Sequence, residues 1–260
     1  MTGAQGGFAC SARFEESGQP WISTTEAERS RRFTERTGRA WGTAICSHLD
    51  VWPPRPVRIT LRPGIMWSMT KGVEIVIGVS PGTVSAALAH ELVHAVAGRS
   101  PSQAYDEGLA VRVDAQLRLA GPSWPFFHLP PHRWVRHFVD DGTFIPLSQL
   151  LEGPRVLPSE DAGMSDAVRF YLEAGSFVGF VVELLGGFEA FWPYFRTGGP
   201  ITGLDGLDLD LEAMWVSSLG PELTVDERRK RDASLPLLAD DGRYGLASKS
   251  VRSGIGGPDR

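Results

Sequence analysis

Residues 80–98 read SPGTVSAALAHELVHAVAG, and the rest of the chain is best read outward from them. Ser80-Pro81 has the form of an N-cap followed by proline at the first helical position, where a missing N–H costs nothing. Val84, Leu88, Leu92 and Val96 recur every four residues, and Gly98 offers a C-terminal stop. The pattern predicts a helix over residues 81–97. His90 and His94 stand four positions apart on it, about 40° around the axis, so both imidazoles leave one face and can share one ion. Glu91 follows His90 directly, where a carboxylate can hold a metal-bound water without displacing it. The apolar positions point away from the histidines, which gives the helix a packing side and a reactive side.

Zinc that keeps one position open for water needs a third protein ligand. The stretch Tyr105-Asp106-Glu107-Gly108-Leu109-Ala110 supplies one in Glu107, 13 positions after His94. It opens a second helix, predicted from Tyr105 to about Leu119, after a turn containing Gly98, Ser100 and Pro101. A carboxylate in a first turn also favours the helix dipole, which is the plain alternative for Glu107. Ligating imidazoles usually donate their other N–H to a carboxylate. Asp114, on the same helix face as Glu107, is the candidate for that task, with a surface position as its alternative.

Upstream, residues 1–20 are rich in glycine and serine and predict a flexible arm. A helix should begin near Ser23, capped by Ser23-Thr24-Thr25-Glu26, with Ala27, Phe33, Ala40, Trp41, Ala44 and Ile45 as its apolar stripe and Pro53-Pro54 beyond its end. Val57 to Leu61 alternates apolar and polar, as a half-buried strand does. Val73, Glu74, Ile75, Val76 and Ile77 form a second strand between glycines. As an edge strand it could pair with an extended peptide; otherwise it is a plain sheet strand.

Downstream, residues 121–137 interleave four prolines with Trp124, Phe126, Phe127, His128, His132, Trp134 and His137. That segment reads as a loop, either a lid or a seal over the core, and its histidines are a weak second metal hypothesis. A long apolar helix is expected over 163–185, a shorter one from Phe188 to Phe195, and a last one around Trp215. From 221 to 260 a flexible tail is expected, with Glu227 to Arg231 as a solvated run. The folded part is then one domain over 21–220, sheet-containing to about 99 and helical from about 100.

Composition narrows the function classes. The chain has 260 residues, 42% hydrophobic and 22% charged, with a net charge of −5, which argues against a general nucleic-acid role. Its 30 glycines and 19 prolines exceed the average share of about 12% and point to many turns. Cys10 and Cys46 are too few for a disulfide framework and fit a reducing compartment. No apolar run is long and uncharged enough to span a bilayer, and no signal peptide is visible, so a cytoplasmic location is expected.

His90-Glu91-Leu92-Val93-His94 followed by Asp106-Glu107-Gly108-Leu109-Ala110 resembles the gluzincin branch of zinc metallopeptidases, in particular small bacterial peptidase MA-like domains. The resemblance extends weakly through Ile145 to Leu150, Tyr171, Phe177 to Phe180 and Leu211 to Trp215, over roughly residues 56–220. It implies an α+β, zincin-like fold: a small mixed sheet with the H-E-x-x-H helix, then a mainly helical C-terminal half. It implies one Zn2+ held by His90, His94 and Glu107, with Glu91 as general base on a peptide or protein substrate. Tyr171 takes the approximate place of the tyrosine that assists the transition state in related aminopeptidases, its plain alternative being a buried aromatic on a core helix; apart from the resemblance, His128, His132 and His137 are further candidates for an oxyanion donor. The spacing after Tyr171 is one residue longer than in those enzymes, and their Gly-x-Met-Glu-Asn signature is absent. A catalytically silent zincin fold used for binding, and a zinc hydrolase of a non-peptide bond, are the competing readings.

Overall fold

The computed structural model describes residues 8–15, 24–63, 68–79, 86–119, 128–153, 166–201 and 210–238. It is a mixed α and β protein with a small four-stranded mixed sheet and mainly helical content. Its elements sort into two compact units.

The first unit contains β1 (Cys10–Phe14), α1 (Thr24–Leu49), β2 (Val57–Pro63), β3 (Met69–Lys71), β4 (Glu74–Val79) and α2 (Ala86–Ala97). Strand order is β1-β2-β4-β3, with β1, β2 and β4 parallel and β3 antiparallel to β4. Val57, Ile59 and Leu61 of β2 and Ile75 and Ile77 of β4 are at most 1% exposed, while Arg58 and Glu74 between them face solvent. That alternation is the period-2 signature of one covered sheet face. The β3–β4 turn depends on Gly72, whose φ of 59° lies in the left-handed region.

Three expectations are corrected in this unit. Residues 10–14 of the supposed arm form β1, whose Cys10 and Ala12 are buried and which pairs with Val57 to Leu61. The strand over 73–77 is interior: Glu74, Ile75 and Val76 are paired with β2 on one side and β3 on the other. The backbone of Glu74 to Val76 is therefore paired on both sides, so the stretch Val73 to Ile77 is not the free edge that would take up an extended peptide. The apolar stripe of α1 is also displaced. Phe33 is 42% exposed, and the buried face runs through Thr34, Gly38, Gly42, Ile45, Cys46 and Leu49. A Cβ on Gly42 would meet the Phe8 ring at 2.2 Å, so this face was chosen by closeness rather than by side-chain size. The cap at Ser23 and residues 80–85, where the helix carrying His90 and His94 is expected to start, lie outside the described residues.

The second unit contains α3 (Gln103–Leu117), α4 (Pro131–Asp140), α5 (Leu147–Glu152), α6 (Asp166–Leu184), α7 (Phe188–Thr197), α8 (Leu211–Ser218) and α9 (Val225–Leu238). α3 and α6 approach closely enough that a Cβ on Gly108 would lie 2.4 Å from the Ala174 carbonyl oxygen, and one on Gly175 2.5 Å from Val111 Cγ1. Gly108 is thus a helix-interior contact, not a turn residue. Trp215 of α8 is fully buried, and its indole N–H donates to Ser176 Oγ at 3.1 Å. α8 opens on Asp210, whose side chain accepts from Ala213 N at 3.0 Å.

Two further corrections fall here. Residues 131–137, expected as loop, are helical: Pro130 precedes α4, Pro131 takes its first position, and Trp134 is completely buried. Residues 120–127 lie outside the described residues. The expected tail from 221 instead continues into α9. Thr224 and Glu227 form a reciprocal capping box, with Glu227 N donating to Thr224 Oγ1 at 3.2 Å and Thr224 N donating to Glu227 Oε2 at 2.8 Å. Buried Arg133 of α4 fastens this region. It donates to both oxygens of Glu227 and to the carbonyls of Leu219, Pro221 and Glu222, at 2.7–3.1 Å. Beside Arg133 the Glu227 carboxyl is held down to about 2.

Candidate metal centre

α2 is buried almost all round. Leu88, Leu92 and Val93 are completely covered, and His90, Glu91 and His94 are only 3, 7 and 3% exposed. The expected reactive side therefore does not face open solvent. The helix ends as the spacing predicts, with Gly98 at φ 80° and its N–H on the His94 carbonyl at 3.0 Å.

One turn apart, the two imidazoles meet edge to face, with ring centroids 4.8 Å apart and the two Nε2 atoms 3.1 Å from each other. An ion bonded to two imidazole nitrogens at about 2.0–2.1 Å in tetrahedral geometry separates them by roughly 3.3 Å. The spacing of the pair therefore suits a shared divalent ion. Glu91, between them in sequence, is held by Thr70 of β3, whose hydroxyl lies 2.6 Å from Glu91 Oε2 and 3.0 Å from the Glu91 carbonyl oxygen. Thr70 is a residue that the sequence reading missed, because nothing local marks a strand residue that reaches a helix 21 positions on.

Glu107 is 7% exposed on α3. The start of that helix is braced by its neighbour Asp106, whose Oδ1 accepts from Ser100 N at 3.1 Å and whose own N–H reaches the Ser102 carbonyl. His90, His94 and Glu107 each offer a ligand atom, and these atoms lie within 4.8 Å of one another. Among the described residues no other group of three or more His, Cys, Asp or Glu side chains has this property. Two neutral nitrogen donors and one carboxylate, all withdrawn from water, make a donor set suited to zinc.

Asp114 is completely buried on α3, which overturns the surface alternative. Tyr171 is half-buried on α6, its ring edge-on to Phe170 with centroids 6.0 Å apart. His128 and His132 are exposed. His137 is buried on α4, with Nδ1 3.3 Å from Asp141 Oδ2 and 3.2 Å from Arg231 Nη1. Arg231, expected to be solvated, thus has a partner.

Glu173 went unrecognised because it lies inside an apolar run. It is fully buried on α6, and both its oxygens accept from Ile145 N, at 3.2 and 3.1 Å. Burial raises its carboxyl well above the usual range. Among the described residues no helix is long and apolar enough to cross a membrane. No protein-family model matches this sequence, and no curated protein matches it.

Proposed function

We propose that the chain is a zinc-dependent peptidase of the gluzincin kind. The observation that carries this reading is the grouping of buried His90, His94 and Glu107 donors, with Glu91 next to His90 on α2. His90, His94 and Glu107 would hold the ion. When bound, zinc supplies a water made acidic enough to ionise near neutral pH and a Lewis acid for a carbonyl. Glu91 takes a proton from the attacking water and returns it to the leaving amine. The low exposure of the surrounding side chains keeps bulk water away, which strengthens each of these charge interactions. Asp114 is suited to orienting an imidazole ligand, and Tyr171 is the candidate donor to a developing oxyanion. An extended peptide would pair with β3, whose outer side carries no strand among the described residues, rather than with β4.

The test combines metal analysis of the purified chain with cleavage of a mixed peptide library by the zinc-loaded protein and by Glu91→Gln. The reading expects zinc in both and cleavage in the first alone. Zinc without cleavage by the wild type would favour a binding role, and cleavage unchanged in Glu91→Gln would refute the assignment of the base. Cleavage of esters or other acyl bonds with peptides untouched would favour a non-peptide hydrolase.

A further inference from the structure

We propose that Thr70 is the positioning residue for Glu91, its hydroxyl holding Oε2 so that Oε1 is the atom that receives the proton; this rests on the peptidase reading above. A threonine hydroxyl has one hydrogen to give and two lone pairs. Of its two neighbours, Glu91 Oε2 at 2.6 Å lies in the range of a charge-assisted O–H···O bond, and the Glu91 carbonyl oxygen at 3.0 Å is the longer contact. That carbonyl already belongs to the hydrogen-bond ladder of α2. The hydrogen therefore goes to the carboxylate. Because the same hydroxyl touches the backbone and the side-chain end of one residue, it restricts the rotamer of Glu91 directly.

Thr70 is itself well placed to act as a fixed point. It is the middle residue of β3, paired with Ile75 across a hairpin closed at Gly72. Its β-branched side chain has few rotamers available. Glu91 has several rotatable bonds, and Thr70 supplies the hydrogen bond that its side chain makes among the described residues. Among the described residues no hydrogen bond to Oε1 is made, so the carboxylate presents one committed oxygen and one available one.

The experiment compares Thr70→Val, which keeps the shape and removes the hydroxyl, with Thr70→Ser, which keeps the hydroxyl. Crystal structures of both variants read the position of the Glu91 carboxylate, and zinc competition with a chromophoric chelator reads the metal site. Peptide-library turnover by the zinc-loaded proteins supplies kcat and KM. The proposal expects the carboxylate displaced in Thr70→Val and in place in Thr70→Ser. It expects kcat to fall roughly 10-fold or more in the valine variant, with KM and zinc affinity within about twofold of wild type and with the serine variant recovering most of the loss. A Glu91 carboxylate that stays in place in Thr70→Val, or an unchanged kcat, overturns it. Should the wild type bind no zinc, or cleave independently of Glu91, the peptidase reading fails, and the crystal structures still decide whether Thr70 holds the carboxylate.

Discussion

Alanine at Gly108 would test whether the packing of α3 against α6 sets the third ligand. The added Cβ would stand 2.4 Å from the Ala174 carbonyl oxygen and 2.7 Å from Val178 Cγ2. Carbon and carbonyl oxygen pack at about 3.3–3.6 Å, so the contact must open by roughly 1 Å. The nearest obstacle is backbone, which cannot rotate aside, and the displacement falls on the helix that carries Glu107 one position away. Metal–ligand distances tolerate only about 0.2 Å, so a shift of that size should weaken zinc binding by roughly 10- to 100-fold. Stability is the poorer readout, since overpacking costs about 1–3 kcal/mol while alanine gains about 1 kcal/mol over glycine in a helix. Gly179→Ala is the control: the three atoms nearest its Cβ belong to the long Arg112 side chain, Nε at 3.2 Å and Cδ and Cζ at 3.3 Å, which can give way, so zinc affinity should change less. Chelator competition on both variants decides the matter. Wild-type zinc affinity in Gly108→Ala would refute the claim that this contact positions a ligand.

Other perturbations have equally definite outcomes. Arg133→Met removes the donor to three carbonyl groups and leaves the Glu227 carboxylate with Thr224 alone, and should cost about 2–4 kcal/mol in urea unfolding, with a loss under 1 kcal/mol counting against the network. Glu173→Gln mimics the neutral acid that burial favours. With a folded pKa above the unfolded one, wild-type stability is intact below about pH 4.3 and falls as pH rises through the folded value. The variant should therefore match wild type near pH 4 and become progressively more stable than it toward neutral pH, as read by urea unfolding across pH; a pH-independent difference would contradict the burial effect. The thiols of Cys10 and Cys46, pushed up by burial to about 11 and about 12, should react with a disulfide reagent at pH 8 only on unfolding, and rapid labelling of the native chain would refute this.

Local chemistry carried part of this fold, and long-range packing carried the rest. The end of α2 at Gly98 could be read because periodicity and a left-handed stop act within a few residues. The mixed α+β architecture followed from the change of period after residue 79. Strand order is a different kind of fact: whether 74–79 lies inside the sheet depends on β3 folding back onto it, which no alternation in the strand itself records. The buried face of α1 was only partly visible to a hydrophobicity count, which included Ile45, because Thr34, Gly38 and Gly42 make up its first half. The capping box at Thr224 and Glu227 was a local signal passed over beneath the charges that follow it. The proximity of His90, His94 and Glu107 was legible in spacing and resemblance, whereas the contact of Thr70 with Glu91 was not, since it exists only once the sheet has formed.

The central claim is that His90, His94 and Glu107 together hold one zinc ion. Metal content by mass spectrometry, on the wild type and on Glu107→Ala purified and dialysed side by side, tests it most directly. The account predicts one zinc per chain in the wild type and strong depletion in the variant, with both proteins folded. A wild type that takes up no zinc when it is supplied, or a Glu107→Ala variant that retains the ion as firmly as wild type, would contradict it.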